Sequence, residues 1–278
     1  MNVNQPTIVE MLLADWRGNL TKRPEQRASM FMMSEPGTGK TQILGLAAEL
    51  ANDDADFMAE NKRRYDADTF EMLPFRATLH EPVDLTGIPA VITDEMLKQQ
   101  VLVWIKDQHW PRDGAGVIFL DEFPQGTPQM MAALGQIISE LAIGDFKIGR
   151  GWNVVLAGNR ATDRSASFIV PQQIDNRVYT VTLVPALKPW VEWARANNID
   201  DTVTRFLQFR PAAFTNFDPA RPTNPSARVW ELVSGVRQQN MHGTIGERAK
   251  VEGYVGAGIA AEYFAYVDAG DSLPAIED

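Results

Sequence analysis

Apolar positions recur at helical spacing near the start of the chain, where Ile8, Met11, Leu12 and Trp16 would share one face of a helix over residues 7–16. A polar, proline-containing stretch at 21–26 leads into a short apolar run at 28–33 that ends in a glycine-rich turn, as a buried strand would. Immediately past the turn, Ile43, Leu44, Ala47, Ala48 and Leu50 restart the helical period over 41–51. Residues 52–65 are polar and charged. Residues 70–79 predict a second strand, which runs into His80-Glu81-Pro82-Val83-Asp84-Leu85-Thr86-Gly87-Ile88-Pro89, a loop shaped by its proline and glycine residues. Short apolar runs at 117–120 and 154–157 suit central parallel strands, and 178–184 supplies a fifth. Between the two central runs, 129–141 has helical periodicity, while Gly144-Asp145 and Gly149-Arg150-Gly151 predict a β-hairpin over 142–152. Beyond Pro185 the pattern is helical: 188–197, 201–208, 226–239 and 245–267, joined by proline- and asparagine-rich turns.

Strand–turn–helix alternation followed by helices alone predicts an α/β domain with a parallel sheet over 1–185 and a small all-α domain over 186–278. The 278 residues suffice for such a pair. The last residues, from Asp268, are acidic with few large apolar groups and are expected to be loose. Composition adds exclusions. An apolar share of 45% with 22% charged residues is that of a globular chain. With no cysteine, disulfides, thiolate metal sites and cysteine nucleophiles are excluded, which fits a reducing compartment; the cytoplasm is the expected location. No apolar run is long enough for a membrane span, and Glu10 and Asp15 interrupt the N-terminal one, so no membrane association is expected. A formal charge of −10 counts against a broad electrostatic grip on nucleic acid, leaving room only for a local basic patch.

Three polar sequences follow directly on predicted strands. Ser34-Glu35-Pro36-Gly37-Thr38-Gly39-Lys40-Thr41 lies between strand and helix, where a phosphate-cradling loop must lie. Glycines let backbone N–H groups turn inward around phosphates, and the following helix N-terminus favours the same negative charge. Lys40 would reach the β- and γ-phosphates of ATP, and the Thr41 hydroxyl would ligate Mg²⁺. Ser34 stands where the usual pattern has glycine. In the second sequence, Val117-Ile118-Phe119-Leu120 ends in two carboxylates, of which Asp121 would hold Mg²⁺ and Glu122 would polarise the attacking water. The third places Asn159 past another central strand, within Leu156-Ala157-Gly158-Asn159-Arg160; a neutral amide there can hydrogen-bond both the water and the γ-phosphate. By contrast His80, His109 and His242 lack companions at metal-site spacing, and the tryptophans at 104, 110, 190, 193 and 230 read as packing residues. Gly253 to Gly258 forms a small-residue stripe whose charged surroundings exclude a membrane dimer.

With these three sequences in this order, the chain resembles the AAA+ superfamily, and within it the MoxR-type ATPases. The narrower resemblance is carried by Asp84-Leu85-Thr86-Gly87-Ile88-Pro89, Phe119-Leu120-Asp121-Glu122, Gly158-Asn159-Arg160, Asp175-Asn176-Arg177, the Pro189-Trp190 to Trp193 turn, Arg228-Val229-Trp230-Glu231 and Gly256-Ala257-Gly258. It spans residues 7–268. The resemblance implies Mg²⁺-dependent ATP hydrolysis in a homo-oligomeric ring, usually a hexamer, with nucleotide between neighbouring subunits. Arg177 resembles the arginine that reaches a neighbour's γ-phosphate, with Arg160 as the substitute and a pair with Asp163 or Asp175 as the ordinary alternative. Arg228 resembles the lid arginine that touches the γ-phosphate in its own subunit, although Ala227 stands where the family more often has proline; the alternative is a surface arginine pairing with Glu231. Insertions at 79–90 and 142–152 would face the ring pore, where Lys147 and Arg150 could contact a substrate.

The function so implied is a chaperone-like remodeler that matures or activates a partner, commonly a von Willebrand A-domain protein. A nucleic-acid motor or loader is the alternative from another class, and net acidity counts against it. A nucleotide-gated scaffold that barely turns over is a third, which intact Glu122 and Asn159 disfavour.

Overall fold

The computed structural model describes residues 1–27, 29–94, 99–105, 110–160, 167–239 and 242–270, with backbone alone at 94 and 103–105. The acidic end beyond Gly270, His109, Asp163 and the Trp104 side chain lie outside what it describes. The chain begins with β1 (Asn2–Val3) and α1 (Gln5–Asn19), then β2 (Ser29–Ser34), α2 (Lys40–Asp53), α3 (Ala55–Tyr65) and β3 (Phe70–Arg76). A short α4 (Pro82–Thr86) precedes the antiparallel hairpin β4 (Ile88–Asp94) and β5 (Gln99–Ile105). Next come β6 (Ala115–Asp121), α5 (Pro128–Glu140), the small hairpin β7 (Ala142–Ile143) and β8 (Phe146–Lys147), β9 (Gly151–Asn159), α6 (Gln172–Asp175) and β10 (Val178–Leu183). The helical C-terminal region holds α7 (Leu187–Ala196), α8 (Asp201–Phe209), α9 (Ala227–Gln238), α10 (Ile245–Val255) and α11 (Ala257–Ala269).

Six strands form one parallel sheet in the order β1-β10-β2-β9-β6-β3. The five predicted strands are its body, and they read as nearly continuous apolar runs because both faces are covered. Within β2 the side chains alternate: Met30 and Met32 join α1, α2 and α3 on one face, while Phe31 packs with α5 on the other. Ile43, Leu44, Ala47, Ala48 and Ala51 form the buried stripe of α2, and truncating the fully buried Leu44 to alanine would cost about 2–5 kcal/mol. One polar pair crosses this core: Asn19 Nδ2 donates to Asn153 Oδ1 at 3.0 Å, and Asn153 Nδ2 donates to Gly116 O at 3.3 Å, so the buried amides are satisfied.

The helical region has its own core around Trp190, Phe206, Trp230 and Tyr263. Its last predicted helix is broken. Gly256, at φ 85° and ψ 155°, ends α10 with its N–H donating to Glu252 O at 2.8 Å, and α11 starts at the next residue. Among the described residues no helix is long and apolar enough to cross a membrane.

Candidate functional site at the strand ends

The parallel register brings the three predicted polar sequences together at the C-terminal ends of adjacent strands. Ser34 pairs with Asn159 across β2 and β9, Leu156 pairs with Leu120 across β9 and β6, and Asp121 pairs with Arg76 across β6 and β3. In open α/β sheets this end of the strands forms the ligand crevice.

The loop from Ser34 to Thr41 is held by its own side chains. Ser34 is fully buried; its Oγ lies 2.6 Å from Thr38 Oγ1 and accepts from Lys40 Nζ at 2.9 Å. The serine that departs from the usual glycine therefore anchors the lysine. Thr38 Oγ1 also lies 3.1 Å from Glu35 O. Gly37 and Gly39 have φ of 75° and 83°, conformations that turn the backbone back on itself. Lys40 opens α2 and also donates to Asn159 Oδ1 at 3.0 Å, so one ammonium joins the ends of β2 and β9. Thr41, in the first turn of α2, is exposed. Arg160 Nη2 pairs with Glu35 Oε1 at 2.7 Å, fastening the loop to the end of β9.

On β6, burial pushes the Asp121 carboxyl above its usual range; the Glu122 N–H at 2.9 Å and the Lys40 charge oppose this, Glu122 reinforces it, and Arg76 opposes it. A cation beside this half-buried carboxyl would favour its charged form against the burial that opposes it. Glu122 itself stands at φ 53° and ψ 32°, a left-handed conformation uncommon for a non-glycine residue. Its Oε2 accepts from the Thr78 hydroxyl on the 3-10 turn after β3. Gly158 lets Pro124 approach: a Cβ there would lie 2.4 Å from the proline ring. Gln125 Nε2 donates to Ser167 Oγ at 3.0 Å on the far side of that contact.

The helical region closes on the loop from the other side. Ser226 is the N-cap of α9, and the Arg228 N–H donates to Gly37 O at 3.3 Å. A Cβ at Gly37 would sit 2.6 Å from Ser226 Oγ and 3.6 Å from Arg228 Cβ. Glu231, one turn on, shares a hydrogen bond with Gln42 of α2; burial raises its pKa, and Gln42 and the Arg228 charge lower it. Among the described residues Arg228 and Glu231 form no ion pair, and the arginine acts on Glu231 only through its charge. From α1, Gln5 Nε2 donates to Thr38 O at 3.4 Å.

Arg177 is not part of this cluster. It is exposed at the start of β10, with its carbonyl accepting from Ser29 N at 3.4 Å, and therefore lies about 16 Å, the length of β2, from its own phosphate loop. It has no ion pair with Asp175 among the described residues. The predicted histidines are apart as well: His80 stacks on Phe75 with ring centroids 4.3 Å apart, and His242 Nδ1 lies 3.8 Å from Glu247 Oε1. No three His, Asp or Glu side chains converge on a metal-sized site among the described residues. Sequence reading missed Arg76, Thr78, Gln42 and Ser226. Thr78 was legible only with the strand order, which places the end of β3 beside that of β6.

A cradle of inward-turned backbone, an anchored lysine and two carboxylates at the next strand but one define a P-loop NTPase fold of the AAA+ type, with a helical region seated on the loop. Solved structures agree on the fold. Two single-site mutants of RuvB from Thermotoga maritima superpose with TM-scores of 0.51 and 0.50 at 14% and 13% identity, each match covering 97% of this chain and 72% or 71% of the other. The sequence matches no family model and no curated protein.

Proposed function

We propose that the chain is a Mg²⁺-dependent ATPase that works as a homo-oligomeric ring, and that it is a MoxR-like remodeler that matures or activates a partner protein. The observation that carries the ATPase reading is the contact of Lys40 with both Ser34 and Asn159, one strand away from Asp121 and Glu122. That arrangement supplies each function phosphoryl transfer needs: positioning, charge compensation and orientation of water.

Gly37 and Gly39 fit a phosphate cradle, since a side chain at either would meet Ser226 or Gln42 within 3 Å. Lys40 would exchange its present partners for β- and γ-phosphate oxygens. Thr41 and Asp121 are the side chains that would hold Mg²⁺, the rest of its shell coming from water and phosphate, as is usual for this ion. Bound there, the ion would neutralise charge developing on the phosphate oxygens. Glu122 would leave Thr78 and accept the proton of the attacking water, with the Asn159 amide orienting that water. Arg228 would contact the nucleotide from its own subunit, and its placement beside Gly37 supports this.

Arg177 is too far from its own loop to serve it, which favours a role across a subunit boundary. Arg160 is occupied by Glu35 of its own loop, which disfavours it as the substitute. We further propose that residues 1–185 and 186–278 act as core and lid, so that hydrolysis changes the angle between them. RuvB is described as a Holliday junction branch migration motor, but the charge of −10 disfavours a nucleic-acid track here. A partner with a von Willebrand A-domain is the expectation from the resemblance alone.

ATP hydrolysis measured over a wide range of protein concentration, for wild type and Glu122→Gln, tests the reading. The per-subunit rate should climb with concentration and vanish in the variant while ATP still binds. A rate that is flat with concentration removes the ring; a variant as active as wild type removes Glu122 from the mechanism.

A further inference from the structure

At the opposite end of the sheet from the phosphate loop lies a cleft of about 740 Å³. Its walls come from segments that precede four parallel strands: Lys22 to Arg27 before β2, Tyr65 and Asp66 before β3, Arg112 to Gly114 before β6, and Gly149 and Arg150 before β9. In a chain of net charge −10, eight Lys and Arg line this cleft against two Asp. Some of that charge is neutralised locally. Lys62 pairs with Asp66 and Asp68, Arg63 and Arg64 with Glu60, and Arg23 with Glu25.

Four cations are left over. Lys22, Arg27, Arg112 and Arg150 make no ion pair with a carboxylate among the described residues. Arg27 is the fixed one: Nη1 donates to Trp152 O at 2.9 Å and Nε to Lys22 O at 3.2 Å. Both acceptors are neutral carbonyls, so the guanidinium is oriented without being neutralised. Burial lowers the Arg27 pKa, Tyr65 raises it, and the nearby Arg150 lowers it again. Arg112 lies over the Phe146 ring at 4.5 Å, which steadies its head at the rim. Holding like charges together around a half-buried arginine is costly unless an anion occupies the space between them. A volume of this size suits a small ligand, and a fork of guanidinium groups suits phosphate oxygens.

We propose that this cleft is a binding site for a compact, multiply phosphorylated anion, held by Arg27, Arg112, Arg150 and Lys22 and separate from the P-loop. The site does not depend on the ATPase reading, and its test is arranged accordingly. Inorganic tripolyphosphate is titrated calorimetrically into the full chain carrying Lys40→Ala, which disables the phosphate loop as a competing anion site. One site is expected, with affinity falling as salt rises from about 50 to about 200 mM. The double variant Arg112→Glu, Arg150→Glu in the same background should bind at least about tenfold more weakly, since two favourable contacts become repulsive. Both side chains are exposed, and thermal melting checks that the fold persists. Should the reversals unfold the chain, Lys22→Ala with Arg112→Ala replaces them, with a smaller loss expected in the same direction. Affinity unchanged within about twofold on removal of these charges overturns the proposal. So does a single-stranded oligonucleotide of about 20 nucleotides that binds through the same arginines with affinity growing with its length, because the cleft would then be part of a nucleic-acid track.

Discussion

Gly37→Ala tests how the helical region and the phosphate loop are joined. The substitution carries two separate costs. Alanine at φ 75° is in the left-handed region, which costs roughly 1–2 kcal/mol. Its Cβ would also lie 2.6 Å from Ser226 Oγ and 3.2 Å from Ser226 Cβ. Ser226 cannot simply turn away, because its Oγ accepts from Val229 N at 3.4 Å as the cap of α9. Overpacking of this kind adds about 1–3 kcal/mol, for about 2–5 kcal/mol together. Gly39→Ala has a similar φ of 83°, but its Cβ meets the flexible end of Gln42 at 2.9 Å, so its cost is mostly the backbone term. Ser226→Gly separates the two contributions. Glycine is nearly as good an N-cap as serine, so alone it costs a few tenths of a kcal/mol. Combined with Gly37→Ala it removes the clash, and the double-mutant cycle in urea unfolding should give a coupling of about 1–3 kcal/mol. The cycle with Gly39→Ala should give none. A Gly37–Ser226 coupling below about 0.5 kcal/mol would refute the claim that α9 is seated on the loop through these two residues.

Three further outcomes follow from the same geometry. Burial raises the Asp15 pKa against the lowering effects of the Tyr179 hydroxyl and Lys22, so the folded state binds this proton more tightly than the unfolded one. The stabilisation is present below the unfolded pKa and lost as pH rises through the folded one. Asp15→Asn, which can still accept from Tyr179, should therefore lose less stability than wild type as pH rises above the ordinary aspartate value of about 4 in denaturant titrations; an identical pH profile would contradict this. Thr78→Ala frees Glu122 from its hydroxyl partner. Basal hydrolysis should rise about 2- to 10-fold with ATP affinity unchanged, the equivalent of one hydrogen bond; a falling rate would mean that Thr78 aids the reaction. Mixing inactive Arg177→Ala and Lys40→Ala proteins under subunit exchange should restore activity where an intact loop faces an intact arginine, and no recovery would end the trans assignment.

Where the sequence was legible, one strong periodicity or one compact motif decided the matter. The five body strands are apolar on both sides, so each stood out as a short run, and the polar residues that follow them marked the C-terminal ends where the site lies. Helix α3 was hidden because it buries only Phe57 and Asn61; its remaining face is charged and held by Glu60 with Arg63 and Arg64. Of the β4–β5 hairpin only its first residues, within the shaped loop at 80–89 and the insertion at 79–90, entered the sequence reading, and 91–105 received no element. Its Ile88, Val91, Ile92 and Leu102 are exposed, so they obey no in–out alternation from which a strand could be read. The break at Gly256 escaped because α10 and α11 are both helical and follow each other directly, with only the one non-helical residue Gly256, at φ 85° and ψ 155°, between them. Contacts between distant segments, such as Thr78 with Glu122 and Gly37 with Ser226, and the shared cleft of Arg150 and Arg27, depend on the tertiary fold and have no local signature. Arg150 in particular belongs to the cleft before β9 and not to the tip of the β7–β8 hairpin.

The strand order also has a consequence for synthesis of the chain. β2, which carries the phosphate loop, is flanked in the sheet by β9 and β10 and by no strand made before it except through them. As the chain emerges from the ribosome, Ser29–Ser34 must wait for residues 151–159 before its first neighbour exists, roughly 6 to 25 s at ordinary rates of translation. Throughout that interval a methionine- and phenylalanine-rich strand has two open edges. A nascent chain halted before Gly151 contains the loop from Ser34 to Thr41 and both carboxylates at the end of β6, yet β2 still has no neighbouring strand to fix the loop beside them. The most recognisable part of the sequence thus acquires its setting only after more than half of the chain has been made.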